Sequence, residues 1–207
     1  MSEDPVGVGR CPGLQDFADR VVHLVAQHPA VREIRLVGSR ATGEARPESD
    51  WDFRVATTDF ASVARALPRL AAPLNPLATQ WDRLSDQQCW MLILPGPVKV
   101  DLIFPEEPHT HKPPWQPRRD NVEAVDAHFW DWVLWLRAKE AGAECEIIAA
   151  ELRKLSDHLL RPLGVEPVPA TIAEAVALYR AARDDAERNF GCTIPRQLES
   201  EVVPAIL

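Results

Sequence analysis

No run of eighteen apolar residues occurs in the 207-residue chain, so no helix is expected to span a bilayer. The opening residues, MSEDPVGVGR, are acidic and have no apolar core, and do not read as a secretory signal. Cysteine is scarce. Cys11, Cys89, Cys145 and Cys192 stand far apart without a CxxC pair, which argues against a zinc site or a disulfide framework. Reduced thiols of a cytoplasmic protein are the expectation. Basic residues are also in short supply: 23 Lys and Arg face 31 Asp and Glu, for a formal charge of −8. Long DNA or RNA needs a basic surface and is excluded as a partner. A small cationic partner is compatible with the acidity, although such a charge chiefly aids solubility. No internal repeat is visible. What remains, 46% hydrophobic and 26% charged residues, is ordinary for a globular protein of one large domain or two small ones.

The chain changes character near residue 115. Before it, Leu14, Phe17, Val21, Leu24 and Val25 are spaced for an amphipathic helix from Leu14 to His28, after a loose tail over 1–12. Val31, Ile34, Leu36 and Val37 suggest a short strand running into Gly38-Ser39. A polar loop to Ser49 follows, and then a period-two strand over Asp50–Val55. Residues 58–71 fit a helix, and strands are expected over 78–84, 88–95 and 98–104, with Pro95-Gly96-Pro97 as a hairpin turn. Five prolines make 105–118 an extended linker. Helices are then expected over 120–142, about 143–161 and 171–189. The expected domains are therefore an α/β unit over 1–115 and a helical unit over 116–207.

The chemistry concentrates in Gly38-Ser39-Arg40-Ala41-Thr42-Gly43 and Ser49-Asp50-Trp51-Asp52-Phe53. Glycine at a strand end lets backbone approach a ligand, and exposed amides with a serine hydroxyl can hold phosphate oxygens. Asp50 and Asp52, two apart on the expected strand, point to one face. Side-by-side carboxylates repel unless a cation lies between them, and magnesium prefers such oxygen ligands. Asp101, inside the apolar strand Val98–Phe104, is costly there unless it is paired or bound to metal. If the two strands are neighbours, three carboxylates converge and can hold one or two metal ions.

These residues resemble the DNA polymerase beta-like nucleotidyltransferase superfamily, whose mark is a Gly-Ser turn, a D-x-D strand and a later strand with a third carboxylate. The spacing is most similar to a small bacterial branch that includes minimal nucleotidyltransferases and aminoglycoside-modifying enzymes. The resemblance covers roughly residues 30–105. It implies an α+β fold, with a mixed sheet and flanking helices followed by a C-terminal helical bundle, and an NTP bound between the halves. It implies that Gly38 and Ser39 hold the NTP phosphates and that Asp50 and Asp52 bind Mg2+. Asp101 would be the third ligand, the general base, or both. A nucleoside monophosphate, AMP from ATP, would move to a hydroxyl of a small-molecule acceptor, possibly aminoglycoside-like in chemistry. Two other readings are an enzyme placing AMP on a toxin protein partner and a non-catalytic nucleotide-binding module.

The remaining signals are weaker. Arg40 pairs with a phosphate or with a nearby carboxylate, and Ser49 contacts the nucleotide or forms the turn. A looser likeness over His128-Phe129-Trp130 and Ala138-Lys139 implies a nucleotide contact for Lys139 and an acceptor contact for Glu144, but Ala143 stands where an arginine is expected. Trp130, Trp132 and Trp135 do not share one helix face. His109-Thr110-His111 lies in the proline-rich stretch and is not read as a metal site. Arg153 and His158 match the R-x4-H pattern of HEPN-type ribonucleases, a short pattern common by chance.

Overall fold

The computed structural model describes residues 12–207. The expected tail and the side chains of Leu14 and Phe17 lie outside that description. Helix α1 (Pro12–Ala26) buries Ala18, Val21 and Val25 along one face. It ends before the expected His28, because the chain turns ahead of Pro29 with the His28 amide bonded to the Val25 carbonyl at 3.2 Å. Strand β1 (Val31–Val37), the single helical turn α2 (Gly38–Thr42), β2 (Trp51–Thr57), α3 (Phe60–Ala71), β3 (Ala78–Trp81), β4 (Gln87–Leu94) and β5 (Val98–Pro108) follow. The strands make one mixed sheet in the order β1-β2-β5-β4-β3, in which only β2 and β5 run parallel.

Strand alternation decides what each sheet face carries. Trp51, Phe53 and Val55 of β2 point into a core shared with α1 and α3, as do Val100, Leu102 and Phe104 of β5. The residues between them, Asp52 on β2 and Lys99 and Asp101 on β5, therefore belong to the opposite face. Asp59 caps α3, its carboxylate accepting the Ser62 amide at 3.0 Å.

That opposite face meets the helices α4 (Val122–Ala141), α5 (Cys145–Leu155), α6 (Ile172–Phe190) and α7 (Gln197–Ile206). They build a second core, which Ile93 of β4 joins. Helix α4 is buried nearly all round and runs through its centre. Phe129 stacks on Tyr179 of α6 with ring centroids 3.8 Å apart. Tyr179 Oη and Trp130 Nε1 both donate to Asp126, at 2.6 and 3.1 Å, so this buried carboxylate is satisfied. Among the described residues no helix is long and apolar enough to cross a membrane.

Several boundaries depart from the sequence expectations, each for a local reason. Strand β3 stops at Trp81 rather than 84, because Asp82 folds its carboxylate back to accept the Leu84 and Ser85 amides at 2.7 and 3.3 Å. The expected linker 105–118 starts late, since β5 continues to Pro108. Its pairing with β2 ends at Ile103, so Pro105 and Pro108 lack an N–H where β2 no longer needs one. The Gly38-Ser39 turn is a helical turn closed by Gly43 at φ 79. The expected 143–161 helix is regular only over α5 and then widens over Ser156–Leu160. Helix α7 has no counterpart among the expected elements, although Leu198, Val202 and Ile206 recur four apart and are buried.

Candidate active site

The parallel pairing of β2 and β5 sets Asp52 directly beside Asp101. Asp50 lies one residue ahead of β2, not on the strand as expected. It is held there from behind. The Arg40 guanidinium lies 4.2 Å from the Trp51 ring centre and donates to the backbone carbonyls of Ser49 and Asp50, the latter at 2.9 Å. Nε and Nη2 of Arg40 thus donate to backbone carbonyls. The Ser49 hydroxyl accepts the Arg46 amide at 2.9 Å, which is the turn-forming arrangement. With the loop fixed in this way, one oxygen from each of Asp50, Asp52 and Asp101 lies within 4.8 Å of the others, and no second such ligand cluster occurs among the described residues.

Gly38 closes the site from the end of β1. Its φ is +68, and a Cβ added there would lie 2.3 Å from Asp52 Oδ2. Both the backbone conformation and the contact require glycine. Ser39 is half-buried on the same turn.

Crowding governs the charge. Burial, and then the charges of Asp50 and Asp101, raise the Asp52 carboxyl to about 7, while Lys99 and Lys139 oppose the rise. Burial raises the Asp101 carboxyl too, against the pull of Lys99. Lys99 Nζ donates to both Asp101 oxygens, at 2.5 and 2.6 Å, and lies 3.4 Å from Asp131 Oδ1 on α4. Burial raises Asp131 to about 7, again opposed by Lys99. Three convergent carboxylates, two of them raised chiefly by burial, suit a hard divalent cation with oxygen ligands.

Lys99 and Asp131 were not among the expected site residues. The signals for them exist in the sequence: Lys99 stands two before Asp101 on the same strand face, and Asp131 is an acid set between Trp130 and Trp132 in an apolar helix. Lys139 lies near enough to Asp52 to oppose its rise, 5.2 Å from the Trp135 ring and 3.5 Å from Glu144 Oε1. Ala143 sits in the left-handed turn after α4, with φ 59. Of the tryptophans, Trp130 is core and Trp132 donates to Glu151 at 3.2 Å. Trp135 lines both of two cavities that flank the carboxylates. One, of about 340 Å³, is bordered by Asp82, Asp101, Asp131, Trp132 and Glu151. The other, of about 330 Å³, is bordered by Arg40, Ser49, Asp50, Pro97 and Ala138. His109 and His111 are engaged elsewhere, by the Ser85 carbonyl and the Asp86 carboxylate.

The family model for the nucleotidyltransferase domain matches residues 16–123, just over half of the 207. The chain belongs to this nucleotidyltransferase family. The matched segment runs from α1 to the first residues of α4 and contains Gly38, Ser39 and all three carboxylates. Among solved structures, this nucleotidyltransferase is similar to an aminoglycoside 6-adenyltransferase from Bacillus subtilis, at 12% identity and a TM-score of 0.33, over 90% of this chain and 94% of that one. It is also similar to the polymerase core of TRAMP, an RNA surveillance complex, at 9% identity and a TM-score of 0.38, over 81% of this chain and 49% of that one. Neither likeness, at those scores, bears on what this nucleotidyltransferase acts upon. No curated protein matches it.

Two outcomes follow from this geometry. Gly38→Ala forces a side chain into the left-handed region and against Asp52, and should cost about 1–2 kcal/mol in urea unfolding. It should also weaken magnesium binding, because Asp52 must move; wild-type values of both would contradict the packing described. A carboxylate holds a cation only when ionised, and the folded-state value of Asp52 is about 7. Below that value a proton competes, so calorimetric magnesium affinity should fall roughly tenfold per pH unit and be nearly flat above it. A flat profile from pH 5 to 8 would contradict the assignment.

Proposed function

We propose that this nucleotidyltransferase transfers AMP from ATP to a hydroxyl group of a small molecule, using magnesium held at the carboxylate cluster. The observation that carries the reading is the convergence of Asp50, Asp52 and Asp101 against Gly38. In it, Asp50 and Asp52 bind the metal, Gly38 and Ser39 hold the phosphate tail, and Lys139 adds a positive charge on the helical side. Arg40 and Ser49 act on the nucleotide indirectly, through the loop they fix. Magnesium, when bound, supplies charge neutralisation for the triphosphate and the departing pyrophosphate. The acceptor oxygen attacks the α-phosphorus in line as the bond to the β-phosphate breaks. Positioning and charge stabilisation provide most of the rate.

A cavity of about 340 Å³ beside Asp101 is of small-molecule size, which favours such an acceptor over a protein. Its border of Asp82, Asp131 and Glu151 with Trp132 and Trp135 suits a cationic, hydroxylated compound of the aminoglycoside kind. We divide the chain into a nucleotidyltransferase domain, 1–115, and a helical domain, 116–207. The presence of two hydrophobic cores supports this division. A cytoplasmic location is in keeping with free thiols at Cys89, Cys145 and Cys192.

The test is calorimetric titration of ATP into wild type and an Asp50→Asn/Asp52→Asn double variant, with and without magnesium. Magnesium-dependent binding should appear in wild type and vanish in the double variant. Each single variant should lose at least ~10²-fold in turnover, about 2.7 kcal/mol of barrier. Equal ATP affinity with and without magnesium, or near-normal turnover in either variant, would overturn the reading.

A further inference from the structure

His128 of α4 lines the cavity beside Asp101, is only 4% exposed and is locked in orientation on both sides. Its ring stacks on Trp132 with centroids 5.3 Å apart, and its Nδ1 accepts from Trp115 Nε1 at 2.9 Å. Trp115 is pinned in turn. Its amide donates to the His158 carbonyl at 2.9 Å, and the Arg83 guanidinium lies 3.9 Å from its ring centre. An indole N–H can only donate, so His128 Nδ1 carries no proton and the neutral ring holds its proton on Nε2. Burial, above all, pushes His128 down to about 4, which keeps the ring neutral near pH 7. Nε2 has no hydrogen-bond partner among the described residues, and it is open to the cavity rather than walled in. The carboxylates around it are already engaged: Asp82 by the Leu84 and Ser85 amides, Glu151 by Trp132 and Lys154, and Asp131 by Lys99. A buried donor left without a partner is costly unless a ligand or water completes it.

We infer that His128 selects the acceptor, its Nε2–H donating to a hydroxyl or ether oxygen of the compound seated in this cavity. A ring nitrogen that already bears its proton cannot take another, so this histidine serves recognition and not proton transfer. Ammonium groups, which only donate, are turned away from this edge toward Asp82, Asp131 and Glu151. The acceptor is therefore a compound that carries oxygens beside its amines, not a plain polyamine. The inference rests on the small cationic acceptor proposed for this nucleotidyltransferase, and it narrows that class.

The test uses two probes on the full-length protein, followed by NMR: 2-deoxystreptamine, a ring bearing amines and hydroxyls, and 1,3-diaminocyclohexane, the same ring without the hydroxyls. Two variants separate packing from recognition. In His128→Asn the side-chain oxygen can still accept from Trp115, but no donor reaches the cavity; in His128→Gln an N–H donor reaches the cavity, but Trp115 loses its acceptor. Wild type should bind 2-deoxystreptamine about fivefold or more tighter than the plain diamine. His128→Asn should lose about fivefold of that preference while keeping near wild-type stability in urea, and His128→Gln should keep the preference while losing stability. Nitrogen NMR of the ring should show the Nε2–H tautomer at pH 7. A preference unchanged in His128→Asn would overturn the inference by itself, even if His128→Gln failed to fold. An Nδ1–H tautomer or an imidazolium at pH 7 would overturn it as well. Binding of neither amine by wild type would instead sink the cationic-acceptor reading on which the inference rests.

Discussion

Two strands running side by side in the same direction create the central problem of this molecule. The β2–β5 pairing makes Asp52 and Asp101 neighbours, and the loop before β2 adds Asp50. Like charges at that spacing in a partly buried site oppose folding unless protons or cations offset them. The raised Asp52 carboxyl and the paired Lys99 are two responses to that one constraint. A sheet built only for stability would place apolar residues here, as it does one position over at Phe53 and Leu102. Conflict retained against packing is the physical mark of a functional centre.

The surroundings follow from holding that centre in place. Gly38 gives the carboxylate room, Arg40 anchors the Ser49–Asp50 backbone against Trp51, and the apolar face of the sheet fixes both strands on α1 and α3. Helix α4 reaches across from the other half. Asp131, Trp135 and Lys139 lie along it, each toward the carboxylates or the cavities beside them. The centre therefore draws on both halves of the chain.

Much of this was legible in the sequence, for physical reasons. Period-two alternation marked β2, and a lone charge inside the apolar run Val98–Phe104 marked Asp101 on β5. A glycine ending a strand before D-x-D identified the candidate site. What escaped depended on contacts distant in sequence or on single side-chain turns. The role of Arg40 as a backbone anchor requires knowing how the loop returns to it. Asp82 ended β3 through its own side chain, which alternation cannot reveal. Lys99 was not singled out, because its pairing with Asp101 is completed by Asp131, 32 residues away on another element. Helix α7 carried a visible four-residue repeat in Leu198, Val202 and Ile206, but Pro204 near its end weakened the pattern.

The central claim is that the bond broken lies between the α- and β-phosphates of a nucleoside triphosphate. Phosphorus NMR of ATP incubated with magnesium, the enzyme and a mixture of hydroxylated amines tests it most directly. The account predicts pyrophosphate together with a new phosphodiester signal. ADP with a new phosphomonoester, or with orthophosphate where water is the acceptor, would mean phosphoryl rather than nucleotidyl transfer, and would contradict it.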